Sequence, residues 1–507
     1  MRAWTLSLLL PLVCLAGTAR ADRVFLAGPD ASPPPRETAL SVEVPGALLL
    51  VCPDGVTPSV GRELVTSAGS TFYLLEPHGP SAVLVPLPEG LEVLARFDRR
   101  LLVADTTGDP SRLDGVAGCK ERLVYLPPAP ARAPASAAKA PSAVDPALKA
   151  ALVDRCDLGA YTDYLRELSG DKSYFINGEW ITNGDRYTFS YTIERVEAYL
   201  RTRLEAMGYP VTLQSFPVGS QTARNVVAIK AGTVHPDSVV VVGAHFDAIA
   251  VNLLPKHPAP GAEDNGSGSA AVLALAEVFS HYETEKTIHF VLFGAEEQGL
   301  YGSQHYVAEA VAAGQKTVGA LTMDMIAAWE DEFAVIIEGQ HPWEWLMSLY
   351  ESNLATTSAI PSTKSYNSYG SDHVPFQQAG IAAFLAIDKD WAQYGYYHKS
   401  TDTFDKTDPT LGLAILQGIA GAVADLAGLS SSGTDAPSLA RLTLDQNRPN
   451  PFNPRTVIAW TQAAEGATRL EIYDVAGRKV RLLRDGVLAA GRYEASWDGR
   501  DDTGRPV

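Results

Sequence analysis

A chain of 507 residues is too long for one ordinary domain, so two to four domains are expected. Hydrophobic residues make up 46% of the sequence and charged residues 20%, a balance that excludes a disordered chain. The formal net charge of −18 excludes nucleic acid as an expected partner, because no basic face is available to neutralise phosphates.

The first 21 residues have the pattern of an export signal. Arg2 supplies a positive charge, residues 6–16 are almost wholly apolar, and Ala19 and Ala21 form a small-x-small cleavage site. The apolar run is too short to cross a membrane comfortably, so no membrane span is expected. These residues predict a signal peptide and a secreted protein, whether extracellular, periplasmic or attached to the cell surface.

Residues 22–127 are rich in short β-like runs, such as 47–52 and 72–76, with Gly and Pro between them. No catalytic constellation is found in this segment, and we expect a β-rich, propeptide-like or accessory region. Residues 128–146 are dominated by Pro, Ala and Ser, a composition that builds no core and predicts a linker.

Three cysteines remain after signal cleavage, namely Cys52, Cys119 and Cys156. They can form at most one disulfide bond, which leaves one thiol. None of them lies beside a histidine in a catalytic context. We therefore expect buried structural cysteines or a single disulfide, and the pairing stays open.

Residues 147–430 alternate between strand-like apolar runs and helical patterns. The runs are continuous and rich in β-branched residues, as expected for strands that are buried on both faces of a sheet. This alternation predicts an α/β domain with a mostly parallel central sheet flanked by helices. The predicted strands include 238–243, 287–293, 320–323 and 381–387, and one predicted helix is 269–279.

Residues 436–507 change character again, with short strands separated by turns that predict a β-sandwich. Residues 446–454 (QNRPNPFNP) and 472–478 (IYDVAGR) resemble the immunoglobulin-like C-terminal domains related to that of the flagellar hook-capping protein. The resemblance implies attachment to the cell surface or to secretion machinery. A further strand normally follows in that family, so we expect this C-terminal domain to be truncated at Val507.

Ionisable residues of the α/β region gather where the predicted strands end. Ligand sites of open α/β sheets lie at the carboxyl ends of their strands, so we expect these side chains to meet at one edge. The set comprises His245, Asp247, Asp264, Glu296, Glu297, Asp324 and His398.

Histidines and carboxylates in this number match the needs of two zinc ions. Zinc accepts imidazole and carboxylate ligands, and two ions about 3.5–4 Å apart need a bridging carboxylate. Two histidines and three carboxylates, one of them shared, are then sufficient. Glu296 remains outside the coordination shell, where it can take a proton from a metal-bound water.

Five motifs along this region resemble, in order, those of the M28 family of zinc aminopeptidases. The resemblance extends over about 190–428 and implies the zinc-peptidase fold and peptide substrates with a free N-terminus. The motifs are 243–247 (GAHFD), 260–268 (PGAEDNGSG), 294–303 (GAEEQGLYGS), 323–324 (MD) and 397–398 (YH).

The resemblance also implies a role for each residue. His245 and Asp324 would hold one zinc ion, Glu297 and His398 would hold the other, and Asp264 would bridge the two. Glu296 would be the general base and Tyr397 would polarise the scissile carbonyl group. Asp247 would orient His245. Residues 371–376 (SDHVPF) match a segment that lines the site, so His373 is expected to be a wall or supporting residue, with a structural histidine as the competing interpretation.

Three other functions remain open. A glutaminyl-cyclase-like transferase would use one zinc ion, but a Trp typically precedes the last histidine ligand there, where this chain has Tyr397. A non-catalytic ectodomain would have lost ligands or the base, and here the set is complete. A carboxypeptidase would need a cationic residue for the substrate carboxylate, and none is identified. The sequence thus favours a secreted aminopeptidase with two zinc ions per chain.

Overall fold

The computed structural model describes residues 144–430, apart from 177–178, 252–257, 329–330, 367 and 369, and parts of the chain within 23–123 and 443–505. The predicted signal peptide, most of the predicted linker and most of the motif at 446–454 lie outside the described residues. The chain divides into two compact units, Met1–Ser430 and Ser431–Val507, which are described separately.

The N-terminal region of the first unit is built from two four-stranded antiparallel sheets, which agrees with the β-rich pattern of its sequence. The strand orders are β2-β3-β1-β4 and β6-β7-β5-β8, which leaves β8 at an edge. The strands are β1 (Arg23–Ala27), β2 (Leu40–Val44), β3 (Ala47–Cys52), β4 (Arg62–Glu63), β5 (Thr71–Glu76), β6 (Leu91–Phe97), β7 (Arg100–Asp105) and β8 (Cys119–Leu123).

The rest of the first unit alternates helices and strands. Its helices are α1 (Pro146–Val153), α2 (Leu158–Leu168), α3 (Ile193–Ala206), α4 (Gly268–Phe279), α5 (Tyr301–Ala312), α6 (Glu344–Thr357), α7 (His373–Gln378) and α8 (Pro409–Ala427). Its strands are β9 (Tyr174–Ile176), β10 (Glu179–Ile181), β11 (Val211–Val218), β12 (Gln221–Lys230), β13 (His235–His245), β14 (Glu283–Thr284), β15 (Lys286–Phe293), β16 (Lys316–Met323), β17 (Val335–Glu338), β18 (Ser362–Ser365), β19 (Ala383–Asp388) and β20 (Leu429–Ser430).

Eight of these strands form one central sheet in the order β11-β12-β15-β13-β16-β19-β17-β18. The four strands β15, β13, β16 and β19 run parallel to one another, whereas β11, β12 and β17 introduce antiparallel pairs. The sheet is therefore mixed, and its parallel part is the part that the sequence predicted. Strands β9 and β10 form a hairpin, and β14 pairs with β20.

Strand β13 shows why the centre of the sheet forms from this sequence. Val239–Val242 are β-branched and almost fully buried, because helices cover both faces of the sheet. Alternate valines face different clusters: Val240 and Val242 pack with α4 and α8, and Val241 packs with α5 and α7. Each buried valine contributes roughly 1.5–3 kcal/mol of hydrophobic stabilisation.

Helix α8 is long and apolar enough to pass a length-and-composition test for a membrane span. However, 78% of its most apolar window is buried inside the first unit. Because α8 packs against α1, α6 and the central sheet, it has the surroundings of a core helix.

The second unit contains two small antiparallel sheets in the residues that are described. One has the strand order β21-β22-β25 and the other pairs β23 with β24. The strands are β21 (Thr443–Leu444), β22 (Thr456–Gln462), β23 (Gly466–Tyr473), β24 (Lys479–Leu488) and β25 (Gly491–Trp497).

Candidate metal centre

The predicted ligands meet at the carboxyl edge of the parallel strands. His245 ends β13, Asp324 directly follows β16, and Glu296 and Glu297 follow β15 after a two-residue turn. Asp264 lies in the turn Ala262–Ser267, just before α4. His398 comes from the loop after β19, and all six side chains are buried.

Asp264 lies between the two histidines. Its Oδ1 is 3.4 Å from His245 Nε2, and its Oδ2 is 3.1 Å from His398 Nε2. His245 Nε2 is also 3.3 Å from Asp324 Oδ1, and His398 Nε2 is 3.0 Å from Glu297 Oε2. One carboxylate thus faces both histidines with different oxygens, and each histidine has a further carboxylate beside it.

The donor set fits metal ions. Two groups of residues bring their ligand atoms within 4.8 Å of one another: His245, Glu296 and Asp324 in one, and Asp264, Glu297 and His398 in the other. Imidazole nitrogens and carboxylate oxygens are zinc ligands. Glu297 Oε1 is buried and has no hydrogen-bond partner among the described residues, so it retains lone pairs that a cation would satisfy.

The electrostatics of the site reflect crowded carboxylates around two imidazoles. Burial acts to lower the pKa of His398, but the charges of Glu297 and Asp264 outweigh it and raise that pKa to about 9. Burial acts to raise the pKa of Asp264, whereas hydrogen bonds with His245 and His398 hold it well below its usual range. Burial raises the pKa of Glu296 well above normal, and the Glu297 charge adds to this effect.

Asp247 supports the site mainly through the backbone of the glutamates. Its Oδ1 accepts a hydrogen bond from Glu296 N at 3.1 Å, and its Oδ2 accepts one from Glu297 N at 3.3 Å. The Nδ1 atom of His245 is closer to the backbone oxygen of Asp247, at 3.2 Å, than to its carboxylate, at 3.6 Å. Asp247 therefore contacts His245 most closely through its main chain and the backbone of the two glutamates through its side chain.

Tyr397 and His373 differ in their relation to the site. Tyr397 lines the cavity in front of the ligands and stacks on the ring of His398, with ring centroids 3.7 Å apart. His373 begins α7, is fully buried and has its Nε2 3.4 Å from Glu338 Oε1. Glu338 lines the cavity and His373 does not, so His373 contacts a residue of the cavity wall and is not itself part of the lining.

Two supporting residues, Ser371 and Asp402, were given no role from the sequence, although Ser371 begins the segment 371–376 that was expected to line the site. Ser371 Oγ donates to Asp324 Oδ2 at 2.8 Å. The carboxylate of Asp402 accepts hydrogen bonds from Glu263 N at 3.0 Å and Asp264 N at 3.1 Å. Burial raises the pKa of Asp402 to about 7, and these hydrogen bonds oppose the effect. No spacing rule connects these residues, which come from distant parts of the chain.

The cavity beside the ligands has an apolar side and a basic residue. Met325, Leu385, Ile387 and Trp391 contribute apolar surface. Lys120, from β8 of the N-terminal region, lines the same cavity and is only 4% exposed. No pattern in the sequence indicates that this region contributes to the cavity.

These features define an α/β domain with a buried, carboxylate-rich metal-binding site. Residues 225–423 match Peptidase family M28, the family that the motifs of this domain resemble. The family expected from the sequence motifs is thus confirmed.

Curated relatives match part of the chain. Aminopeptidase YwaD of Bacillus subtilis is 32% identical over 204 residues, which cover 38% of this chain and 42% of the relative. Leupeptin-inactivating enzyme 1 of Streptomyces exfoliatus is 35% identical over 186 residues, which cover 36% and 40% respectively. The chain therefore spans about two fifths of the length of these relatives.

Solved structures share the fold. The LapA aminopeptidase of Legionella pneumophila has a TM-score of 0.54 at 18% identity, covering 71% of this chain and 98% of LapA. LapB from the same organism also has a TM-score of 0.54, at 17% identity, covering 71% of this chain and all of LapB. At these identities the likeness shows the fold alone.

Proposed function

We propose that this protein is an aminopeptidase that uses two zinc ions to remove N-terminal residues from peptides. The observation that carries the proposal is the position of Asp264, which presents one oxygen to His245 and the other to His398. A carboxylate shared in this way suits two adjacent ions. The names of the curated relatives, an aminopeptidase among them, support the choice of reaction.

In this proposal His245 and Asp324 hold one zinc ion, and Glu297 and His398 hold the other. Bound zinc would supply Lewis acidity, which polarises the scissile carbonyl group and lowers the pKa of water. Side chains of the protein would transfer the proton and position the substrate.

Glu296 acts as the general base. Its Oε2 is 4.0 Å from His245 Nε2, farther than the oxygens of Asp264 and Asp324, so it is the carboxylate least engaged with the histidines. A pKa raised by burial brings a carboxylate toward the range in which it exchanges protons near neutral pH. Glu296 takes a proton from the attacking water and passes it to the departing amine.

Tyr397 and the apolar wall position the substrate. In this proposal the Tyr397 hydroxyl donates to the carbonyl oxygen of the bond that breaks, and the stacking of its ring on His398 within the cavity lining supports this role. The substrate's N-terminal side chain lies against Met325, Leu385 and Ile387, which favours an apolar residue there.

We also propose that the protein is exported and that its C-terminal unit serves attachment. The first 21 residues support export, and the motifs at 446–454 and 472–478 support attachment. A fusion of residues 1–21 to a reporter should direct secretion. Retention of the reporter inside the cell would contradict the proposal.

The proposed reaction is tested with an aminoacyl nitroanilide and a peptide with N-terminal glutamine. The full chain should release nitroaniline, Asp264→Asn should not, and Asp237→Asn is the matched control because its side chain is 81% exposed. Cyclisation of the glutamine without nitroanilide hydrolysis would indicate the one-zinc transferase instead. A folded, zinc-loaded protein without either activity would indicate a non-catalytic ectodomain.

A further inference from the structure

An edge strand of the N-terminal region forms part of the active-site wall. Lys120 lies on β8, opposite Leu75 of β5, and its side chain lines the cavity that contains His245, Glu297 and His398. With 4% of its surface exposed, Lys120 is enclosed at the site and does not extend into solvent.

Contacts of Arg122, two residues after Lys120, and of Tyr73 on the neighbouring strand β5 join this sheet to the metal-binding domain. Arg122 donates to Gln304 Oε1 from Nε at 2.9 Å and from Nη2 at 2.6 Å, and Gln304 Nε2 donates to the Arg122 carbonyl at 2.8 Å. The Arg122 guanidinium also lies 3.9 Å from the ring centroid of Tyr301. Tyr301 is bonded in turn to the Tyr73 hydroxyl, at 2.9 Å in a buried position.

These contacts join β8 to the loop that carries the two glutamates. Tyr301 begins α5, four residues after Glu297. Gly299 lies between them with a positive φ of 115°, and a Cβ atom there would be 3.1 Å from the Tyr73 ring and 3.3 Å from Arg122. These contacts hold β8 against the metal-binding domain. Lys120 is therefore part of the cavity wall that a bound substrate would contact.

The cavity is lined by groups of opposite charge. Among its described lining residues Lys120 is the one lysine or arginine, whereas the metal centre is rich in carboxylates. The amine of a peptide is attracted to carboxylates, and its C-terminal carboxylate needs a cation. An extended dipeptide places these groups roughly 7 Å apart, within the reach of one small cavity.

We propose that Lys120 binds the C-terminal carboxylate of a short substrate, so that dipeptides with a free carboxylate are the preferred substrate class. The proposal rests on the proposed aminopeptidase function and adds the specificity that β8 imposes.

The test compares a dipeptide such as Leu-Gly with its C-terminal amide and with leucyl nitroanilide. Lys120→Met should lower kcat/KM for the dipeptide about tenfold to a hundredfold more than it lowers kcat/KM for the amide or the nitroanilide, as expected for losing a charge-assisted hydrogen bond. Lys120→Arg should restore much of the preference. Lys316→Met is the matched control, since that side chain is 70% exposed.

Each alternative gives a different result. An equal loss on all three substrates would overturn the proposal, because Lys120 would then serve the fold or the centre in general. A gain on all three would also overturn it and identify Lys120 as an internal inhibitor. Calorimetric binding of the dipeptide and its amide to the full chain gives the same comparison without turnover. If the wild-type protein bound the dipeptide more tightly than its amide but hydrolysed none of the substrates, the result would contradict the proposed aminopeptidase function and leave the role of Lys120 in binding standing.

Discussion

At the scale of single residues, two adjacent glutamates take different positions. Glu297 Oε2 is 3.0 Å from His398 Nε2, whereas Glu296 Oε2 is 4.0 Å from His245 Nε2. Neighbouring side chains of a non-helical segment point in different directions, so one can face a metal ion and the other a water. The Asp247 carboxylate holds the two glutamates in place by accepting hydrogen bonds from their backbone N–H groups.

Glu296→Gln and Glu297→Ala should therefore fail in different ways. The amide of Glu296→Gln is nearly isosteric, so this variant should keep its zinc and lose about 10²–10⁴-fold in kcat, as for a missing general base. Glu297→Ala should lose zinc from one site and lose activity with it. Zinc content and turnover of both variants check this assignment. Reversed zinc contents would exchange the two roles.

Which site residues the sequence reveals depends on how they are positioned. The ligands follow strands that are recognisable from their apolar runs, so their meeting at one edge could be predicted. Asp402 and Lys120 could not, because their contacts join segments far apart in sequence. The hydrogen bond from Asp264 N to Asp402 crosses 138 residues, and no local pattern encodes such a contact.

At the scale of elements, a buried arginine ties the site loops together. Arg186 is fully buried and donates from Nε to the carbonyl of Phe246 at 2.7 Å, from Nη1 to that of Leu168 at 3.0 Å and from Nη2 to that of Gly261 at 2.6 Å. Nη1 also bonds the carbonyl of Pro260. Burial lowers the pKa of Arg186 to about 10, so it remains charged at neutral pH.

Arg186→Lys should loosen the loops that follow β13 and precede α4. A single ammonium group cannot reach four carbonyl oxygens in different directions, so unsatisfied acceptors should cost about 3 kcal/mol of unfolding free energy. Zinc affinity should fall as well. Urea denaturation measures the first effect, and Arg201→Lys is the control because its ion pair with Glu205 is exposed. Equal stability of the two variants would remove Arg186 from this role.

Elements of the sheet were predictable to different degrees. The predicted strand 238–243 became the centre of β13, and the predicted helix 269–279 corresponds to α4. Burial on both faces leaves a continuous apolar run, which is a clear signal. Strands β11 and β12 at the sheet's antiparallel edge carry polar and apolar residues together, and their pairing direction is set by tertiary contacts that the sequence does not display.

At the scale of the whole molecule, one histidine links folding to pH. His289 on β15 shares a hydrogen bond between its Nδ1 and Tyr306 Oη at 2.7 Å, and burial lowers the pKa of His289 to about 4. In the unfolded chain its pKa is about 6.5, so the unfolded state takes up the proton first as the pH falls. The contribution of His289 to the free energy of unfolding is therefore fully present above about pH 6.5 and is lost as the pH falls toward 4.

His289→Gln should remove this part of the pH dependence. The wild-type protein should lose up to about 3 kcal/mol of unfolding free energy from this group between pH 6.5 and pH 4, and the variant should lose correspondingly less. Denaturation is measured with a chelator present, so that zinc release does not contribute. Identical pH profiles for both proteins would contradict the assignment.

The N-terminal region contributes a residue to the cavity beside the metal ligands. Its sequence has no catalytic pattern, yet the buried contacts of Tyr73 and Arg122 place Lys120 at the metal site. Residues of two regions, separated in sequence by the Pro/Ala-rich segment 128–146, therefore line one cavity.

We propose that two zinc ions bridged by Asp264 are needed for aminopeptidase activity. A zinc titration of the metal-free protein tests this proposal most directly. Activity on leucyl nitroanilide should rise until two zinc ions are bound per chain and then level off, with bound zinc measured by mass spectrometry in the same samples. Full activity with one bound zinc ion would contradict the account.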